Sequence, residues 1–302
     1  MRILVNPKAK KGRAPIIASS IVRIWNGWGW DCQMVVPQGP ARMREETRKA
    51  VTDKVDAVIV VGGDGTIHHA LPELAFQDIP MGILPCGRGN DLVRALGLPT
   101  RPFAAAQALR TTTIRTIDLG MVNGRFFCGI VTCGLDSVVA DFAYRHRSIP
   151  GGWIGYFAAT LILLARFSFP TVTVKTEDWE FSGSVVVSAT ANCPAYGGGM
   201  WIAPTALLDD GFLDLCVVRK TSKWKILRLL PSLFWGGHIR EPEVSLHRSR
   251  WVSLSSPFPL PLFADGEPVG TTTATIRVER GALRLLVPTG TKRSAPSLTS
   301  SS

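Results

Sequence analysis

Ala57-Val58-Ile59-Val60-Val61 runs without a polar residue and stops at Gly62-Gly63-Asp64-Gly65-Thr66. β-Branched residues with no polar alternation suit a strand covered on both faces, so the pattern predicts a central strand of a parallel sheet. Arg2 to Val5 predicts a first strand ending at Asn6-Pro7, and Met81 to Leu84 a further short one. Between them, Pro15 to Trp28 places Ile17, Ile21, Ile24 and Trp28 on one helical face, Cys32 to Val36 reads as a strand, and Ala41 to Thr52 carries Arg and Glu at helical spacing. This β-α-β alternation predicts a parallel sheet covered by helices. A helix is expected after Thr66, and Pro72 should end or kink it, because proline removes a donor and clashes with the preceding turn.

The texture changes at Thr116-Ile117-Asp118-Leu119-Gly120, where helical patterns become scarce. Strand composition with turn punctuation appears at 125–131, 171–175, 184–189, 213–218, 250–254 and 274–278, which predicts a β-sandwich or flattened barrel. Two helices are expected within it. Trp153 to Phe169 is apolar but carries Arg166 and falls short of a membrane span, so a buried helix is expected. Lys223 to Trp235 mixes cations, tryptophans and leucines, which suits either a helix lying on an anionic bilayer or an ordinary amphipathic surface helix. The expected domains are 1–120, an α/β nucleotide-binding domain, and 121–287, a β-rich domain, followed by a disordered Ser/Thr-rich tail at 288–302.

A chain of 302 residues with 46% hydrophobic and 19% charged content can build two cores. Lys and Arg total 34 against 23 Asp and Glu, a net charge of +11 that points to acidic partners: nucleotides, anionic lipid surfaces or nucleic acid. The cations are not interleaved with aromatics in any nucleic-acid module, so no nucleic-acid partner is expected. Cys32, Cys86, Cys128, Cys133, Cys193 and Cys216 are scattered without a Cys-x-x-Cys, which predicts reduced thiols in a cytoplasmic protein rather than zinc or disulfides. The apolar start before Asn6-Pro7 is too short for a signal peptide, and no export is expected.

The glycines at Gly62, Gly63 and Gly65 let backbone N–H groups approach an anion, and Thr66 can cap a helix whose N-terminus favours phosphate. Asp64 would repel such a ligand unless a divalent cation lies between them, which points to a nucleotide with Mg2+. A tight strand–helix turn with a solvated aspartate is the alternative. Pro85-Cys86-Gly87-Arg88-Gly89-Asn90-Asp91 repeats the design after the next strand, so the loops carrying Asp64 and Asp91 are expected to face one nucleotide; helix capping by Asn90 or Asp91 is the plainer reading. Lys8, Lys10, Lys11 and Arg13 follow the first strand in a loop that can bind triphosphate or simply be solvated. His68 and His69 point about 100° apart on a helix and are not expected to share an ion. No Walker loop occurs. Asp209, Asp210 and Asp214 surround a glycine turn that suits either a hard cation or a hairpin. Asp265-Gly266-Glu267 offers either a base or another hairpin.

Gly62 to Thr66 resembles the signature shared by diacylglycerol, sphingosine and ceramide kinases and by NAD kinases, and Gly87 to Leu98 is similar to a block that NAD kinases lack. With Asn6-Pro7, the run Tyr196 to Leu215 and Asp265-Gly266-Glu267, the resemblance covers Arg2 to about Val287 in five blocks. It implies an ATP-dependent lipid kinase, most like a bacterial diacylglycerol kinase, moving the γ-phosphoryl group to a lipid hydroxyl. It also implies an active site in the cleft between the N-terminal parallel-sheet domain and a C-terminal β-sandwich. Carried over residue by residue, Asn6, Pro7, Lys8, Ala9, Lys10, Lys11, Gly62, Gly63, Asp64, Gly65, Thr66 and Arg88 bind nucleotide. Asp64, Asp91 and Asp118 form an acidic network near Mg2+ and phosphate, and Glu267 is the general base. A structural Mg2+ falls to the Leu207 carbonyl, the Asp210 side chain and the Phe212 carbonyl. Ala9-Lys10 stands where the family favours Ser-Gly, Arg88 where it has Thr, and His68-His69 where it has Asn-Glu. The expected partners are a membrane lipid substrate and an anionic membrane surface holding the enzyme peripherally, with a homodimer left open. A soluble NAD kinase-like enzyme and a catalytically weak nucleotide-binding protein are the rival readings.

Overall fold

Val58 to Val61 are fully buried because the strand they form is covered on both faces. The structure, a computed structural model, describes residues 1–145 and 153–291, with backbone only for 153–157. The chain divides into two units, the first comprising Met1–Asp118 together with the described residues from Arg280 onward, the second Leu119–Glu279.

The first unit begins with β1 (Arg2–Val5), α1 (Ala14–Gly27), β2 (Gln33–Val35), α2 (Pro40–Thr52), β3 (Val58–Gly62), α3 (Asp64–Leu74), β4 (Met81–Pro85), α4 (Asp91–Ala95) and α5 (Pro102–Ala108). The strands are parallel in the order β2-β1-β3-β4, with Ile3 beside Ile59 and Ile59 beside Gly82. One face packs Ile3, Val5, Ile59 and Val61 against α1 and α5. α1 buries Ala14, Ala18, Ile21 and Trp25, whereas Ile24, expected on the inner face, is exposed. The stripe rotates because Trp25 is drawn inward, its Nε1 donating to the Ala106 carbonyl at 3.3 Å. Glu73 of α3 pairs with Arg44 and Arg48 of α2, and α3 continues past Pro72 to end at Leu74.

β5 (Thr112–Val122) leads into the second unit: β6 (Arg125–Phe127), β7 (Ile130–Gly134), α6 (Leu135–Arg145), α7 (Trp153–Arg166), β8 (Thr171–Lys175), β9 (Glu180–Ala191), β10 (Leu213–Arg219), α8 (Lys223–Leu229), β11 (Val244–Ser249), β12 (Trp251–Ser255), β13 (Pro261–Ala264), β14 (Glu267–Thr271) and β15 (Ala274–Pro288). Two 3-10 turns, Leu230–Trp235 and Gly237–Arg240, follow α8. The β9 strand is antiparallel to β7, β8 and β10, so one long strand joins the layers whose inner faces share Val131, Val174, Leu215, Val252 and Ile276. This is the β-sandwich type of packing.

Three expectations are revised. α6 interrupts a region read as β-rich. The helix expected at 153–169 ends at Arg166 and is two-sided, burying Ala159 and Leu164 while Leu161 and Ile162 are exposed. From Arg280, β15 belongs with the first unit, pairing Leu285 with Met81, although the sequence assigns everything to 287 to the second. Of the tail expected to be disordered, 292–302 lies outside the described residues.

Candidate active site

In the first unit, β3 and β4 end in glycine turns that touch backbone to backbone. A Cβ on Gly63 would lie 2.7 Å from the Gly87 Cα, and one on Gly87 only 2.4 Å from the Gly63 Cα, so neither position admits a side chain without moving its neighbour. The Gly62 carbonyl accepts from the Cys86 and Gly87 amides at 2.7 and 3.1 Å. Asp64 and Asp91 are thereby brought together: a Cβ built on Gly89 would sit 3.1 Å from Asp64 Oδ2 and 3.0 Å from Asp91 Oδ2. Asp64 Oδ1 accepts from the Leu92 amide at 3.3 Å.

Two local readings are corrected. Thr66 does not cap α3: Gly63 stands at the cap with no side-chain bond, and the Thr66 hydroxyl accepts from Asn6 Nδ2 at 2.8 Å, tying the first strand's exit to this helix. Asn90 occupies the cap of α4 at φ 52°, yet its side chain closes the turn on Gly87, accepting from its amide at 3.0 Å and donating to its carbonyl at 3.2 Å.

The basic loop reaches the same place, since the Lys10 amide donates to the Cys86 carbonyl at the end of β4. Lys10 and Lys11 both adopt positive φ, 53° and 56°; of the two, Lys10 stands at the position expected to favour glycine. Lys8, Lys10, Lys11 and Arg88 are exposed. Asp118 is buried in β5, and its Oδ1 accepts from the Gly281 amide at 2.7 Å, which fixes it against β15. His68 and His69 stack edge to face 5.7 Å apart, and burial, with His68 and Arg44 nearby, pushes the His69 imidazole down to about 4. No cluster of three or more metal-ligating side chains occurs among the described residues.

In the second unit, Asp265 and Gly266 form the two-residue hairpin between β13 and β14, at φ 52° and 82°. The Asp265 carboxylate accepts three backbone bonds, from Cys128 at 3.0 Å, Gly129 at 2.8 Å and Ile130 at 3.2 Å. Asn192 braces the same segment, donating from Nδ2 to the Cys128 carbonyl at 3.1 Å. Glu267, half-buried, opens β14 directly beyond this anchored turn. No sequence motif marks Asn192 or the job of Asp265; the only local signal is the Asp-Gly pair.

Asp210 accepts from the Phe212 amide at 3.1 Å through Oδ1. Its Oδ2 and that of Asp214 are buried without hydrogen bonds among the described residues, and Arg248 lies 3.0 and 3.8 Å away from them. Two under-satisfied carboxylate oxygens fit a hard cation, which Asp210 and the carbonyls of Leu207 and Phe212 would hold while sharing Asp210 with Arg248. Burial raises the Asp214 carboxyl.

The second unit also contains an apolar cavity, with about 690 Å3 of empty space counting the part open to solvent. Val139, Val186, Ile226, Leu229 and Leu233 line it, with Asp136, Thr160, Tyr196 and His238 as its polar members. Tyr196 donates to Asp136 Oδ1 at 3.0 Å. Burial lowers the His238 imidazole, so it is neutral near pH 7; Nε2 meets the Ile202 carbonyl at 3.1 Å, and Nδ1 is buried with no partner among the described residues. Nothing in the spacing of these residues announces the cavity.

Paired glycine turns with converging carboxylates on a parallel sheet, in a chain whose other unit is a β-sandwich, suit a phosphotransferase. Residues 1–122 match the diacylglycerol kinase catalytic domain, and 129–287 match the YegS C-terminal NAD kinase beta sandwich-like domain. The chain is 36% identical over 294 residues, 94% of each chain, to a diacylglycerol kinase of Mycobacterium tuberculosis. It is 30% identical over 250 residues, 82% of each chain, to a Pseudomonas aeruginosa protein named "Probable lipid kinase YegS-like". In fold, it is similar to the crystal structure of a diacylglycerol kinase from Bacillus anthracis, with TM-score 0.75 and 20% identity over 96% of this chain and 97% of that one. The chain belongs to the diacylglycerol kinase family and is a lipid kinase.

Proposed function

We propose that this lipid kinase transfers the γ-phosphoryl group of ATP to the free hydroxyl of diacylglycerol, giving phosphatidic acid. The observation that carries the choice of acceptor is the apolar cavity of the second unit, whose Val, Ile and Leu walls suit an acyl chain and offer a dinucleotide few partners. Its buried His238 Nδ1 is an acceptor in search of a donor such as a hydroxyl.

On the nucleotide side, the turns at Gly63 and Gly87 pack bare backbone against bare backbone, as a phosphate-binding turn free of side chains would, and Lys11 offsets charge as the phosphoryl group moves. Asp64 and Asp91 fit a magnesium ion because two close carboxylates beside phosphate need a cation, and such an ion supplies the charge neutralisation that phosphoryl transfer requires. Asp118 completes the acidic network. Glu267 takes the hydroxyl proton as the acceptor oxygen bonds to the γ-phosphorus and the bond to the β–γ bridging oxygen breaks, releasing ADP. Among the described residues no helix is long and apolar enough to cross a membrane, and the charge of +11 supports electrostatic attachment to an anionic bilayer.

The test is labelled ATP with a panel of lipids in mixed micelles. Wild type should label diacylglycerol. Glu267→Gln and Asp64→Asn should each lose about 100-fold or more in rate with unchanged melting. Undiminished activity of Glu267→Gln would remove the base assignment, and label appearing on NAD instead of lipid would overturn the acceptor.

A further inference from the structure

The segment from Ser222 to Arg240 has two faces with different chemistry. Inward, Ile226, Leu229 and Leu233 form one wall of the apolar cavity. Outward, Trp224 is 83% exposed, Trp235 59% and Phe234 46%. Three large rings left in water within one short segment are not explained by packing; Leu161 and Ile162 on α7 are exposed side by side too, but no other described segment exposes three rings.

The charge of the segment is one-sided as well. Residues 222–240 hold Lys223, Lys225, Arg228 and Arg240 and no acid. Lys225 is neutralised by Glu241 and Glu243 at 2.9 and 2.6 Å, whereas Arg228 and Arg240 are exposed and form no ion pair among the described residues. Exposed indoles beside unpaired guanidinium groups match the boundary of an anionic bilayer, where rings settle at headgroup depth and cations meet lipid phosphate. A protein partner would need an acidic, ring-accepting surface; a bilayer supplies both features without further specification.

We infer that α8 and the 3-10 turn after it form an interfacial dock, laying Trp224, Phe234 and Trp235 into an anionic bilayer so that the wall of the acyl cavity rests on the membrane from which the substrate comes. The inference builds on the lipid-kinase reading above, and the two can fail separately. The Ser222 hydroxyl caps α8, accepting from the Lys225 amide at 3.2 Å, and Lys223 Nζ bonds the Ala165 carbonyl at 2.8 Å. The rings are therefore presented from an anchored helix.

The experiment uses the full chain with vesicles of phosphatidylcholine alone, or of phosphatidylcholine mixed equally with phosphatidylglycerol. Wild type should sediment with the mixed vesicles, release at high salt and bind phosphatidylcholine weakly. The double variant Trp224→Ala, Trp235→Ala should lose about tenfold in partitioning with unchanged melting, since both rings are exposed. It should keep the wild-type rate on a short-chain diacylglycerol dissolved as monomer and lose rate on long-chain diacylglycerol in vesicles. Wild-type vesicle binding by the double variant would overturn the dock, as would loss of binding through Ile162→Ser on α7 instead. If wild type binds vesicles but phosphorylates neither acceptor, the substrate reading fails and the dock stands.

Discussion

The dipeptide Asp-Gly occurs in both units, and Asp64 and Asp265 stand in opposite settings. Asp64 opens α3 with its Oδ1 accepting from the Leu92 amide at 3.3 Å, and its Oδ2 and that of Asp91 lie 3.1 and 3.0 Å from where a Cβ on Gly89 would stand. Asp265 sits at φ 52° in a hairpin, and three backbone amides converge on its carboxylate. A carboxylate on which three backbone amides converge is a fastener, whereas one that stands near a second acid at the start of a helix suits a cation. The surroundings of the carboxylate, rather than the motif, separate the two.

That contrast is broken most severely at Asp265. Asp265→Ala removes the acceptor for three amides and places alanine at a positive φ, so destabilisation of about 2–4 kcal/mol is expected in denaturant unfolding. Asp265→Asn retains one acceptor oxygen and tolerates the backbone, and should cost about 1 kcal/mol. Asp64→Asn, by contrast, should abolish turnover while leaving the unfolding midpoint in place. If Asp265→Ala unfolds like wild type, the fastening role is wrong.

Gly87→Ala sharpens the same comparison from the backbone side. The new methyl would meet the Gly63 Cα at 2.4 Å, and backbone cannot step aside as a flexible side chain can. Separation of the two turns should cost about 1–3 kcal/mol and move Asp64 away from Asp91, so that nucleotide affinity falls with stability. Titration of the variant with ATP, alongside its melting curve, checks both; unchanged affinity would show that the turns need not touch to bind phosphate.

These two regions also differ in how far the sequence announced them. The turns after β3 and β4 are contiguous, each following a buried strand, so composition and spacing were enough to pair Asp64 with Asp91. The fastening of Asp265 joins residues more than 130 positions apart, and the cavity gathers walls from α6, β9 and α8, so neither leaves a local trace. The same physics accounts for the errors in fold. α6 leaves no clear signal because it lies in a region dominated by strand patterns, and the inner face of α1 departs from its apolar spacing because Trp25 gains more from burial and its bond to Ala106 than Ile24 does. The return of β15 to the first unit is a matter of pairing with Met81, which residue preference along a single strand does not encode.

The smallest expected effect concerns pH, and it falls on α3, the helix Asp64 opens. Burial holds the His69 imidazole at about 4 against an ordinary 6.5, so the folded state resists a proton that the unfolded chain accepts. Its contribution to stability is therefore complete above about pH 6.5, shrinks as pH falls from there to about 4, and changes no further below. Glu73, at the other end of α3, is held below its usual 4.5 chiefly by its hydrogen bond to Arg48, so its contribution is present above 4.5 and is lost only at lower pH. Burial lowers His238 and His247 too, so wild-type melting alone does not isolate α3. The difference between wild type and His69→Gln does: the melting temperatures should converge as pH drops from 6.5 to 4, while Glu73→Gln should alter the curve's shape only below 4.5. A constant offset for His69→Gln across that range would mean that His69 takes up its proton without cost, and that acid loosens α3 through Glu73 alone.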